Sequence, residues 1–198
     1  MKKLVSRVRD DIPDGKRIAV CVSGGWDSAV LWHIIYEECK KRGQICKPYT
    51  VPKIDGALKY AKKVLKNSGY DADPTVVGQV DSENPSDYVK SGVAEILSRG
   101  YADIVYVAMT AYYDEMHADH DRGGTKDTPF EHIVRQPFAD MTKDKVVQLG
   151  FDLGIADDIM DITHSCTELD EGRCGYCPWC KEREWAFTQI NKQDKGTN

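Results

Sequence analysis

The stretch that decides the fold is Ile18-Ala19-Val20-Cys21-Val22-Ser23-Gly24-Gly25-Trp26-Asp27-Ser28. Its first five residues are all apolar and two are valine, with no polar alternation. Such a run fits a strand buried on both faces, as in a parallel sheet. The two glycines end it. After them, Val30, Leu31, Ile34 and Ile35 recur at helical spacing, and Gly43 supplies a stop. The segment therefore reads as strand, glycine loop, helix.

The same alternation continues downstream. Residues 44–51 read as a second strand, 55–67 as a helix, 75–80 as a third strand and 86–98 as a helix. The apolar run 102–109 reads as a fourth, central strand. Alternating strands and helices predict an α/β protein with a doubly wound parallel sheet, built as one domain over residues 1–198. The pattern breaks at 112–129, a polar stretch rich in Asp, His and Gly, of the length that functional loops have. A short strand at 133–137 follows, then a helix over 143–153 capped by Thr142 and stopped by Gly154. The last helix is expected at 180–190, with 191–198 as a frayed tail.

Composition narrows the classes. The 198 residues are 41% hydrophobic and 30% charged, ordinary for a soluble domain. No apolar run approaches the ~20 residues that cross a bilayer, and the basic start Met1-Lys2-Lys3 is not followed by a signal-peptide core. A cytoplasmic protein without membrane association is expected. The net charge of −5 argues against bulk nucleic-acid binding, which needs a basic surface.

The glycine loop suits a phosphate. Gly24 and Gly25 let backbone approach an anion, and the helix start offers free N–H groups and a positive dipole end. Ser23 and Ser28 add hydroxyls. The Walker-type lysine and the dinucleotide G-x-G-x-x-G spacing are both absent. The alternative reading is a glycine turn with an Asp/Ser cap.

Seven cysteines divide into three scattered ones, Cys21, Cys39 and Cys46, and the cluster Cys166, Cys174, Cys177 and Cys180. Two overlapping C-x-x-C steps let four thiolates reach one tetrahedral Zn2+. A four-thiolate site is closed, hence structural. A redox pair, an iron–sulfur cluster or free thiols are the alternatives.

Ser23-Gly24-Gly25-Trp26-Asp27-Ser28 resembles the PP-loop of the ATP pyrophosphatase superfamily, whose sheet is of the Rossmann-like, adenine nucleotide α-hydrolase type. The resemblance implies that Ser23, Gly24, Gly25, Asp27 and Ser28 cradle the ATP triphosphate. It also implies that Asp27 helps hold Mg2+ and that Trp26 fills a variable position. The C-terminal segment narrows the resemblance. Thr163-His164-Ser165-Cys166, then Cys174-Gly175-Tyr176-Cys177-Pro178-Trp179-Cys180, then Arg183, Ala186 and Phe187, resemble the closing segment of the 7-cyano-7-deazaguanine synthases. Gln136-Pro137-Phe138, Thr142 to Val147, Leu149-Gly150 and Leu153-Gly154 match as well.

That resemblance implies an enzyme, an ATP-dependent C–N ligase. It converts 7-carboxy-7-deazaguanine and ammonia to the nitrile through adenylated acid and amide, for queuosine or for 7-deazaguanine modification of DNA. A homodimer is compatible with it. Lys143 matches the family's lysine near the phosphates and joins Asp27 as a catalytic candidate. Between strands, the family's Asp-Tyr-Ser-Gly-Tyr-Pro-Asp-Cys-Arg-like string is replaced by residues 114–122, where only Asp114 and Arg122 keep matching offsets. These two are the substrate candidates, an Asp for a guanine-like N–H edge and an Arg for a carboxylate. Tyr49-Thr50-Val51 sits where superfamily members hold adenine. His117 and His120 suggest either a second metal site or proton transfer, and His164 a place facing the nucleotide. Another adenylating enzyme on the same loop, and a non-enzymatic zinc-stapled nucleotide-binding module, are the competing classes.

Overall fold

The computed structural model describes residues 2–51, 55–78, 85–111 and 130–196. Five parallel strands form one sheet in the order β3-β2-β1-β4-β5. They are β1 Ile18–Cys21, β2 Cys46–Thr50, β3 Thr75–Val76, β4 Ile104–Tyr106 and β5 Val134–Arg135. β1 is central: Ile18 pairs with Cys46 on one side and with Ile104 on the other. Its residues Ile18, Ala19 and Val20 are buried, as the unbroken apolar run requires.

The helices are α1 Lys2–Asp10, α2 Trp26–Arg42, α3 Asp55–Asn67, α4 Pro85–Ser98, α5 Lys143–Asp152, α6 Ala156–Met160 and α7 Pro178–Gln189. Ile18 and Val20 face a core shared with α1, α2, α3, α5, α6 and α7. Ala19, Tyr49, Val105 and Val107 face the opposite core with Ile96 of α4. The chain thus winds outward from β1 through β2 to β3, crosses to the other face in α4, and returns to β4. In such sheets the crevice at the carboxyl ends of the strands, where winding reverses, is the binding place. The glycine loop leaves β1 there.

Several boundaries differ from the sequence reading. β3 and β4 are shorter than the strands expected at 75–80 and 102–109: the Val77 N–H still donates to the Thr50 carbonyl and the Val107 N–H to the Arg135 carbonyl, both at 3.0 Å, and after Val107 the chain turns back on itself through the Met109 N–H; residues 79–84 lie outside the described residues. α6 is an additional short helix after Gly154. α7 begins at Pro178, because proline at the first turn lacks only an N–H that would be unpaired there anyway. Thr142 stands at the N-cap of α5, but its hydroxyl donates to the Asp144 carboxylate rather than capping the backbone. Residues 191–196 pack onto α6 and α7 instead of fraying.

Candidate active site and cysteine cluster

The loop after β1 is held in shape by its own residues. Gly24 has φ +82°, and a Cβ there would lie 2.6 Å from Tyr60 Cβ and 2.7 Å from the Ala61 nitrogen. Only glycine allows both the backbone conformation and this approach to α3. Ser28 Oγ donates to the Gly25 carbonyl at 2.9 Å and accepts from the Ser23 N–H at 3.2 Å. Ser23 and Ser28 hydroxyls also meet each other at 3.2 Å. Gly25 is the N-cap of α2 and has no side chain to cap it. The positive end of a 17-residue helix therefore opens at the loop.

Asp27 lies in the first turn of α2, and Lys143 begins α5. The Lys143 ammonium donates to Asp27 Oδ2. The lysine is buried, 7% exposed, so it is not a solvated helix-start residue. Asp27 Oδ1 is buried without a hydrogen-bond partner. Lys145, two residues on, is exposed.

Trp26 is not a free position. It is fully buried, its indole N–H donates to the Val146 carbonyl at 3.3 Å, and its ring meets Phe187 edge-on at 5.1 Å. It ties the start of α2 to α5 and α7. Sequence reasoning missed this role; the signal was Gly150, whose missing Cβ makes room for the indole.

The segment Thr163 to Cys166 runs beside the loop. The His164 N–H donates to the Gly24 carbonyl at 2.9 Å. The His164 ring stacks on Tyr60 at 4.5 Å and 9°, and its Nε2 lies 2.9 Å from the Gly172 carbonyl. Burial pushes its pKa below the ordinary histidine value. Arg183 of α7 is 1% exposed. Its guanidinium donates to the Thr163 carbonyl at 3.0 Å, the Met160 carbonyl at 3.2 Å and the Asp194 carboxylate at 2.7 and 3.1 Å. Burial lowers its pKa, and Asp194 opposes that shift.

The sulfurs of Cys166, Cys174, Cys177 and Cys180 all lie within 4.8 Å of one another. Four thiolates around one ion at Zn–S of about 2.3 Å need sulfurs slightly under about 4 Å apart, and Cys174 and Cys180 stand at 4.0 Å. A cubane cluster places a separate iron behind each thiolate and spreads the sulfurs further. The gathered set fits a single metal ion. Cys177 is the N-cap of α7, and its sulfur accepts the Cys180 N–H at 3.4 Å. Cys39 and Cys46 are buried elsewhere, and burial raises the Cys21 thiol to about 12.

Asp114, Arg122, His117 and His120 lie outside the described residues. The chain leaves β4 toward them at Ala111, whose N–H donates to Met141 at 2.8 Å, next to the start of α5. Thr50, at the end of β2, is fully buried, and its hydroxyl has no partner. Among the described residues no helix is long and apolar enough to cross a membrane.

The sheet order, the glycine loop and the four-thiol segment together define a PP-loop-type α/β domain with a C-terminal site able to bind metal. Comparison with known proteins agrees. The sequence model of the family described as "Queuosine biosynthesis protein QueC" matches residues 75–191, more than half of the chain, and the chain belongs to this family. The glycine loop precedes the matched segment, so its reading rests on its own residues and geometry. A protein of Nitratiruptor sp. named 7-cyano-7-deazaguanine synthase is 26% identical over 121 residues, 61% of this chain and 51% of that protein. One of the same name from Archaeoglobus fulgidus is 45% identical over 67 residues, 34% of this chain and 26% of that protein. The matches span from about a quarter to about half of the length of these curated relatives. The U34-tRNA thiolase NcsA from Methanococcus maripaludis, solved with its 4Fe-4S cluster, shares the fold. Its TM-score is 0.56 at 18% identity, over 96% of this chain and 71% of that one.

Proposed function

We propose that this chain is an ATP-dependent, nitrile-forming ligase acting on 7-carboxy-7-deazaguanine and ammonia. The observation that carries the proposal is the ion pair of the buried Lys143 with the largely covered Asp27 at the mouth of α2. A buried cation beside an uncapped helix start is suited to pyrophosphate, and the unpartnered Asp27 Oδ1 is suited to a hard cation. Family membership and the names of the relatives support the substrate.

On this reading Ser23, Gly24, Gly25, Asp27 and Ser28 hold the triphosphate. Asp27 would hold Mg2+, which screens phosphate charge, and Lys143 neutralises charge building on departing pyrophosphate. The substrate carboxylate attacks the α-phosphorus, and pyrophosphate leaves. Ammonia attacks the acyl carbon, AMP leaves, and loss of a proton gives the amide. The amide oxygen attacks a second ATP, again releasing pyrophosphate. Loss of AMP and of the two N–H protons leaves the nitrile. Asp114 and Arg122 would orient the deazaguanine and its carboxylate. Zn2+ on Cys166, Cys174, Cys177 and Cys180 would be structural. The shared sheet supports reading 1–198 as one domain, with 112–129 on the substrate side and 163–190 as the zinc-binding segment. The nitrile would serve queuosine or 7-deazaguanine modification of DNA.

The test is incubation with ATP, Mg2+, ammonium and 7-carboxy-7-deazaguanine, followed by mass analysis. The nitrile with AMP and pyrophosphate is expected. Pyrophosphate without nitrile would move the proposal to another acid, and neither product from metal-replete protein would leave a nucleotide-binding module.

A further inference from the structure

The tail beyond α7 is built into the molecule. Asp194 is 5% exposed on its side chain and receives two arginines. Arg183 contacts it in a fork, Nε to Oδ2 at 2.7 Å and Nη2 to Oδ1 at 3.1 Å. Arg173, from the loop between Cys166 and Cys174, pairs with it as well and donates to the Gly196 carbonyl at 2.5 Å. The Lys195 N–H points at Met160 Sδ at 3.2 Å, and the Gly196 N–H returns to Asp194 Oδ1 at 3.1 Å. A Cβ on Gly196 would lie 2.4 Å from the Met160 carbonyl and 2.5 Å from Arg183 Nη2. Position 194 lies beyond the segment that the family model matches.

The same guanidinium reaches the phosphate loop in two ways. It donates to the Thr163 carbonyl, and the next residue, His164, donates to the Gly24 carbonyl. It also lies over the Trp26 ring, 5.9 Å from its centroid, at the first residue of α2 directly after the loop glycines. A buried guanidinium holds one orientation only while its counter-charge is in place; removing one partner leaves a buried charge to find another. Asp194 is the carboxylate that forks this guanidinium.

We propose that Asp194 is a positioning residue for the phosphate loop. Through Arg183 it fixes Thr163–His164, and these fix the Gly24 carbonyl. Arg173 binds the cysteine-bearing loop to the same carboxylate, so tail, metal segment and phosphate loop form one mechanical unit. The consequence for nucleotide affinity rests on the function proposed above; the consequence for loop order does not.

The experiment compares wild type, Asp194→Asn, Asp194→Glu and Gly196→Ala, each with metal content and thermal unfolding measured. Hydrogen exchange is read by mass at peptides covering 22–28 and, as controls, α1 and β4. ATP affinity is read by calorimetry. Faster exchange at 22–28 in folded Asp194→Asn, with α1 and β4 unchanged, is expected. ATP binding should weaken on the order of tenfold, with partial recovery in Asp194→Glu. Unchanged exchange at 22–28 in folded Asp194→Asn would overturn the proposal. If that variant does not fold, Gly196→Ala, which displaces the tail but keeps the carboxylate, is judged by the same criterion. Wild type that fails to bind ATP would refute the nucleotide reading alone, because the exchange comparison still decides Asp194.

Discussion

The Lys143 ammonium and Asp27 Oδ2 form an ion pair between the first turns of α5 and α2, with side chains 8% and 15% exposed. Asp27→Asn leaves the lysine charge buried without its counter-ion, and Lys143→Met does the same to the carboxylate. Each is expected to abolish or depress pyrophosphate release by roughly 10²–10³ and to lower stability in urea by about 3 kcal/mol. The double variant should regain most of that stability and none of the turnover. Full turnover in Asp27→Asn would sink the assignment of the loop.

Gly150 and Trp26 make a second, purely steric prediction. A Cβ at Gly150 would lie 2.6 Å from Trp26 Cζ2, and the ring is fully buried. Gly150→Ala should cost about 1–3 kcal/mol by overpacking. Trp26→Phe removes the colliding atoms, so the two changes together should cost less than their sum in a double-mutant cycle. Additive costs would show that the contact is not what makes glycine necessary.

Arg17 and Asp103 anchor the starts of β1 and β4. The Arg17 guanidinium and N–H donate to the Asp103 carboxylate at 2.7, 3.2 and 2.8 Å. They hold its pKa down at about 2. A depressed carboxylate stabilises the fold fully above its unfolded value, near about 3.9, and loses that contribution as pH falls toward 2. A carboxyl titration followed by NMR should show the low midpoint, and Arg17→Gln should move it up part of the way toward the ordinary range, because the backbone N–H at 17 still donates. An unchanged midpoint would exclude Arg17 as the cause.

The cysteine geometry predicts one zinc per chain, no acid-labile sulfide, and Zn–S distances of about 2.3 Å by X-ray absorption. Single Cys→Ser changes at 166, 174, 177 or 180 should lose metal and stability together. The same change at Cys39 should keep the metal. Inorganic sulfide in the purified protein would reject the single-ion reading.

Much of this was legible from residues alone. The run Ile18 to Val22 announced a doubly buried strand because no polar side chain interrupts it, and Asp55–Asn67 has the bounds that its apolar spacing indicates. The four cysteines could be grouped because C-x-x-C brings thiols together within a single turn of chain. Strand ends were less legible: β3 and β4 end one residue before the cross-sheet bonds donated by Val77 and Val107, and side-chain character along 75–80 and 102–109 carries no mark of where pairing ends.

The sequence by itself determined the alternation of strands and helices, the glycine loop between β1 and α2, the grouping of the four cysteines and the family. Each depends on neighbours within a few residues. Only the tertiary structure decided that Lys143 is buried against Asp27, that Trp26 is core, and that Asp194 reaches back to Arg183. Lys143 and Asp27 lie 116 residues apart in the chain. What brings them together is the packing of α5 on α2, with the indole of Trp26 fitted against Gly150.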